Sequence, residues 1–263
     1  MKLQAIRVST AMLLALTAVL VLPVFAQAAD EWGTIKGRVV WAGGTIPAPE
    51  VANVDKDKAH CLEKGPIYKD NLVINKENKG IRFALVWLCD AKDPKSTKWT
   101  APIHPSLKKP AKNVVIDQPC CVFEPHVIGL RVGQTLIVKN SSPIAHNVQI
   151  TSVGLGPNKN QLIPPRGQTE ITGFVAKVIP TSYTCSIHPW MKGWIGTFSH
   201  PYFAVTDADG NFEIKNAPAG DFRLMVWHEE VGFVLMDGGM RGKVFTIKAG
   251  GSTDVGEIGL KKE

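Results

Sequence analysis

The chain has 263 residues, 44% of them hydrophobic and 20% charged, with a formal net charge of +7 at pH 7. That length suits one large or two small domains, each able to bury its own core, and two are expected. The first 28 residues stand apart. Lys2 and Arg7 precede an apolar run from Met12 to Leu22, and the A-x-A pattern ending at Ala28 is a cleavage signature, so residues 1–28 read as a secretory signal peptide. The apolar run has 11 residues before Pro23, where a bilayer span takes roughly 20. With no cysteine after it to carry a lipid, no membrane span is expected in the mature chain. Once Lys2 and Arg7 are removed, 28 basic residues face 23 acidic ones, an excess too mild to argue for nucleic acid as a partner. The expected location is periplasmic or secreted.

From "GTIKGRVVW" onward, short β-branched and aromatic runs alternate with Gly, Pro and Asn, and no long stretch carries a 3.6-residue period. The predicted class is all-β. Strands are expected at residues 81–88 ("IRFALVWL"), 135–139, 146–151 ("HNVQIT"), 193–198 ("GWIGTF"), 211–215 and 222–228 ("FRLMVWH"). Between Ala91 and Asn113, six lysines and four prolines mark an exposed loop, and its basic stretch, 92–112, is a candidate docking patch for an acidic partner. In "CVFEPHV", Glu124 and His126 have same-face strand spacing, but two ligands are too few for a metal. They read as a polar pair on the exposed side of an edge strand marked by Pro125. Residues 156–167 ("GPNKNQLIPPRG") read as a second loop. The pattern changes after His200, where Asp209-Gly210 marks a hairpin. "DADGN" lacks the glycine and the terminal acid of a calcium loop, and "WHEEVG" lacks the second histidine of a zinc-protease helix after His228. His60, His104 and His200 have loop-like neighbours and read as surface histidines. The expected division is a signal peptide at 1–28, an N-terminal β segment at 29–80, one domain at 81–200, and an accessory β segment at 201–263 that packs with 29–80.

Five cysteines in an exported chain leave one unpaired. Cys185 is that one, and it belongs to "CSIHPWM", a loop that offers thiolate, imidazole and thioether from Cys185, His188 and Met191. Thiolate and thioether suit Cu(I) and imidazole suits either copper state; His₂Cys with a long axial Met is the electron-transfer copper set. Zinc would take Cys and His but not the thioether. A binuclear copper centre would need a second Cys in the loop, and a cysteine-protease histidine would come from elsewhere in the chain. The missing imidazole is assigned to His146, which shares strand parity with Val148 and Ile150 and so points to the core. Cys61, Cys89, Cys120 and Cys121 remain for two disulfides, with Cys61–Cys121 and Cys89–Cys120 the expected pairing.

The C-x-x-H-P-x-M loop resembles that of the amicyanin branch of the cupredoxins, and "FEPHVIGLRVGQTLIVKNSSPIAHNV" is similar to the cupredoxin segment leading to the first histidine ligand. The resemblance covers roughly residues 81–198. It implies a Greek-key cupredoxin β-sandwich with one type 1 copper, held by His146, Cys185 and His188 equatorially and by Met191 axially. It also implies that Asn147 ties the ligand loops together and that the edge of His188, rimmed by Pro189 and Trp190, is the electron port. "GTIKGRVVWAGGTIPAP" and the segment from Ala204 to Trp227 resemble, more loosely, the two ends of a transthyretin-like sandwich of the carboxypeptidase regulatory kind. The function implied is one-electron transfer between redox protein partners, with no enzymatic activity. A copper carrier or chaperone is the alternative, and a catalytic copper site has only Glu124 in its favour.

Overall fold

The computed structural model describes residues 31–236 and 239–262; the signal peptide read in residues 1–28 lies outside them. In chain order the strands are β1 (Trp32–Trp41), β2 (Leu85–Asp90), β3 (Asn113–Ile116), β4 (Val127–Arg131), β5 (Thr135–Lys139), β6 (His146–Thr151), β7 (Asn158–Ile163), β8 (Gln168–Ile171), β9 (Thr181–Thr184) and β10 (Lys192–Phe198). They continue as β11 (Phe203–Val205), β12 (Asn211–Pro218), β13 (Gly220–His228), β14 (Gly232–Phe233), β15 (Leu235–Met236), β16 (Met240–Arg241), β17 (Lys243–Ile247) and β18 (Ser252–Leu260). Among the described residues helix is confined to α1 (Lys58–Cys61) and a 3-10 turn at Pro105–Leu107. The class is all-β.

Strands β3 to β10 form one sandwich, in which the sheet β4-β10-β9-β6-β7 packs on β3-β5-β8. Neighbours in space are mostly not neighbours in sequence, as in a Greek key. The core obeys a period of two: Leu136 and Val138 of β5, and Val148 and Ile150 of β6, are buried against Leu130, Ile163 and Ile195. The β4–β5 turn is made at Gly133, whose φ of +90° a side chain would strain. Residues 156–167, read as a loop, contain β7, an edge strand paired to β6 from His146↔Ile163 to Thr151↔Asn158. Its side chains are exposed from Asn158 to Leu162, so it carries no apolar alternation that would mark it as a strand.

The second sandwich joins the two ends of the chain. β1 lies between β12 and β18, and this sheet packs on β11-β2-β13-β14, with β17 beside β13. Ile35, Val39, Phe212 and Ile258 meet Val86, Leu88, Leu224 and Val226 between the sheets. The strand expected at 81–88 for the copper-type domain is β2, and it belongs here, paired to β11 and β13. Its other face explains the unbroken apolar run: Leu85, Trp87 and Cys89, with Met225 and Trp227 of β13, pack against Val127 and Phe198 of the first sandwich. A strand buried on both faces loses the alternation that betrays a half-exposed one.

Three further expectations are corrected. The Asp209-Gly210 turn does not close a hairpin, because β11 and β12 lie in different sheets; Asp207 accepts from the backbone of Asp209 and Asn211 and turns the chain round a corner. The Cys61–Cys121 disulfide is present, but Cys89 and Cys120 are free. Cys89 is sealed between the sandwiches on β2, while Cys120 lies near the carbonyl of His60. His200 is 5% exposed, not a surface residue, and lies tilted against Trp99 with ring centroids 4.4 Å apart. All six lysines of the 92–112 stretch are exposed, and Trp99, Ile103 and Leu107 anchor it to the second core.

Candidate metal centre

Register brings the candidate ligands together. β9 pairs with β6 through Ile150↔Tyr183 and Gln149↔Thr184, so the next step of the ladder sets Cys185 level with Val148, one same-face position from His146. β9 also pairs with β10 through Lys192↔Thr184, which leaves Cys185 to Met191 as a short excursion between adjacent strands. Its ends are pinned by the Cys185 N–H donating to Met191 O at 3.1 Å and the Met191 N–H to His188 O at 2.9 Å. Gly193 is required just beyond. A Cβ there would lie 2.4 Å from Tyr183 Cζ and 2.5 Å from the His126 carbonyl oxygen.

His146, Cys185 and His188 each offer a ligand atom within 4.8 Å of the others. His146 Nδ1 is 2.9 Å from His188 Nδ1, which is 3.8 Å from Cys185 Sγ. All three are at most 1% exposed, and Met191 is 2% exposed in the same cluster. Asn147 ties the two loops, accepting from the Ser186 N–H at 2.6 Å and donating to Ser186 Oγ at 3.2 Å. Burial works against the Cys185 thiolate, but contacts with the His146 and His188 rings and with the Asn147 and His188 backbone bring its thiol down to about 6. Burial likewise works against a charged His188, yet Cys185 and Asp57 together raise it above its ordinary value. Two ring nitrogens aimed at each other and at an acidic thiol are a set of donors whose shared protons a soft cation can replace.

The electron port implied for His188 is not open. The ring is fully buried, and its Nε2 lies 2.8 Å from Asp57 Oδ2 at the start of α1. The Cys61–Cys121 sulfurs also lie within 4.8 Å of a His188 ring nitrogen. Pro189 is exposed and Trp190 is half-buried, its ring centroid 5.1 Å from that of His188 and its indole N–H donating to Cys121 O.

Glu124 and His126 do not share a face. Glu124 is exposed, whereas His126 is buried and bonded to Glu229, which also accepts from the Trp194 indole. Burial alone would raise Glu229; His126, Trp194 and Lys192 hold it below its ordinary value. His126 and Glu229 line a cleft of about 230 Å³ that also reaches Trp190 and Met191. Asp57 and Glu229 escape sequence reading because their partners are 131 and 103 residues away.

No family model and no curated protein matches the chain. Among solved structures, a novel purple cupredoxin from Nitrosopumilus maritimus is 22% identical with a TM-score of 0.27, the match covering 32% of this chain and 97% of that one. Amicyanin from Paracoccus versutus is 22% identical with a TM-score of 0.29, covering 39% and 92%. A reduced amicyanin variant is 19% identical with a TM-score of 0.30, covering 43% and 97%. At such scores the reading of the site stands on its own side chains.

Proposed function

We propose that the chain is an exported one-electron carrier that holds a single type 1 copper. His146, His188 and Cys185 would bind the ion, with the Met191 thioether as a further donor. The observation that carries this is the convergence of two imidazole nitrogens and one sulfur, all buried, from His146 on one strand and from Cys185 and His188 on a loop about forty positions later. The donors match copper in softness and number. Bound copper would supply a one-electron couple. The chain supplies the rest: β6, β9 and β10 fix the donors, Asn147 locks the loop, and burial excludes water, so the ligands need move little as charge changes.

The signal-like pattern of residues 1–28 and the Cys61–Cys121 bridge support a periplasmic or extracellular setting, since disulfides persist where the medium is oxidising. Redox proteins are the partners this reading requires, and the exposed lysines of 92–112 suit an acidic one. The second sandwich, with its transthyretin-like sequence ends, acts here as a buttress, since β2 and β13 cover the outer face of the copper-binding unit. Burial of every proposed ligand favours an electron carrier over a copper chaperone, which must surrender its metal readily.

The test is the visible and EPR spectrum of the copper-loaded protein beside its Cys185→Ser variant. The expected result is an intense thiolate-to-copper absorption and a Cu(II) EPR signal in the wild type, with the absorption lost in the variant. A colourless, EPR-silent protein after chemical oxidation overturns the reading. Loss of copper to a chelator during redox cycling would favour the chaperone instead.

A further inference from the structure

Asp57 occupies the N-cap position of α1, where an aspartate normally accepts from the first backbone N–H groups of the helix. Here it makes no such side-chain bond, and its backbone sits in the left-handed region at φ 48° and ψ 35°, uncommon for a residue with a side chain. Its carboxylate reaches across 131 residues of sequence to the ring of His188 at 2.8 Å. An uncapped helix and a strained backbone are both unfavourable locally, and the contact they permit lies at the proposed metal centre. The far end of α1 is fastened too, because Cys61 is bonded to Cys121, and both sulfurs lie close to His188.

We infer that Asp57 is a positioning residue for His188, held in place by the strap that the Cys61–Cys121 bridge closes. A carboxylate can only accept, so the proton on His188 resides on Nε2. In the neutral ring that leaves the lone pair on Nδ1, the nitrogen facing His146 and Cys185. Asp57 thus fixes both the tautomer and the tilt of the ring, and its negative charge makes Nδ1 a stronger donor. It does this from a segment outside the sandwich that carries the ligands. The copper assignment is the premise of the metal-dependent part of this inference; the tautomer part stands without it.

The experiment compares wild type, Asp57→Asn and Asp57→Ala. In the metal-free, ¹⁵N-labelled protein, ring NMR of His188 should show the Nε2–H tautomer in wild type, the same tautomer in Asp57→Asn, whose side-chain oxygen still accepts, and a mixture in Asp57→Ala. In the copper-loaded protein, competition with a chelator should show affinity reduced about 10- to 100-fold in Asp57→Ala. Asp57→Asn should be intermediate, and the reduction potential should rise as the charge that favours Cu(II) is removed. An unchanged tautomer in Asp57→Ala overturns the inference, as do unchanged affinity and potential. Failure of the wild type to bind copper would overturn the proposed function, while the tautomer measurement would still decide the role of Asp57.

Discussion

His200 and His228 are buried histidines with no charge partner strong enough to keep them protonated. Burial, with Arg131 adding to it, pushes His200 down to about 3, and burial pushes His228 down to about 4. Both stay neutral when folded and take up a proton near 6.5 when unfolded. The unfolded state therefore binds more protons below pH 6.5, and stability falls as pH drops towards 4 and then 3, by about 1.4 kcal/mol per pH unit for each histidine. Glu229, held low by its partners, acts in the same direction at the acid end. Urea titrations at pH 7, 6 and 5 should show this loss, with a shallower slope in His200→Asn, whose side-chain oxygen can replace Nδ1 as acceptor from the Tyr202 N–H. An equal slope in the variant would remove His200 from the account. The candidate ligands were legible at this scale because a thiol, an imidazole and a thioether in one short loop are rare chemistry, and because parity alone turned His146 inward. The burial of His126 and His200 was not legible, since Glu229 over the first and Trp99 over the second come from remote parts of the sequence.

The candidate ligand loop owes its shape to the strands on either side, and at Gly193 β10 lies close against Tyr183 of β9. With Tyr183 and the His126 carbonyl already in contact range, Gly193→Ala forces the strands apart and should cost roughly 1–3 kcal/mol, as overpacking does elsewhere. Because Met191 sits two residues before it, the same change should, on the proposed copper site, broaden or shift the spectrum of the copper-loaded protein. Denaturant midpoints and EPR of the loaded variant check the two halves of this prediction, and a variant with wild-type stability would show that the contact is slack. Strands β5, β6, β10, β12 and β13 could be read from alternation or apolar run length. β7 could not, because an exposed edge strand of Asn, Lys and Gln has nothing to alternate. β2 was visible as a strand and misassigned to a domain, since a run buried on both faces does not say which neighbour owns its hydrogen bonds.

At the scale of the whole molecule, the two sandwiches are joined by the layer of Leu85, Trp87, Met225 and Trp227 against Val127 and Phe198. Trp87 is 5% exposed and lies with its ring centroid 5.5 Å from that of Phe198 and 6.0 Å from that of Phe233. Trp87→Ala should cost roughly 3–5 kcal/mol and loosen the coupling, so that calorimetry resolves two transitions where the wild type gives one. A single unshifted transition would mean that the sandwiches do not stabilise each other through this layer.

The placement of β1 between β12 and β18 has a consequence for how the polypeptide comes together. Arg38 meets Glu257 across 219 residues, so the outer sheet cannot form until almost the entire chain is available. Closing so long a loop is entropically costly unless something shortens it first. The inner sandwich is that something: once its own strands have docked, it gathers the flanking segments, and the outer strands then close a far smaller gap. Assembly should therefore run from the inside out, with the β3–β10 unit acting as the template on which β1 and β18 meet.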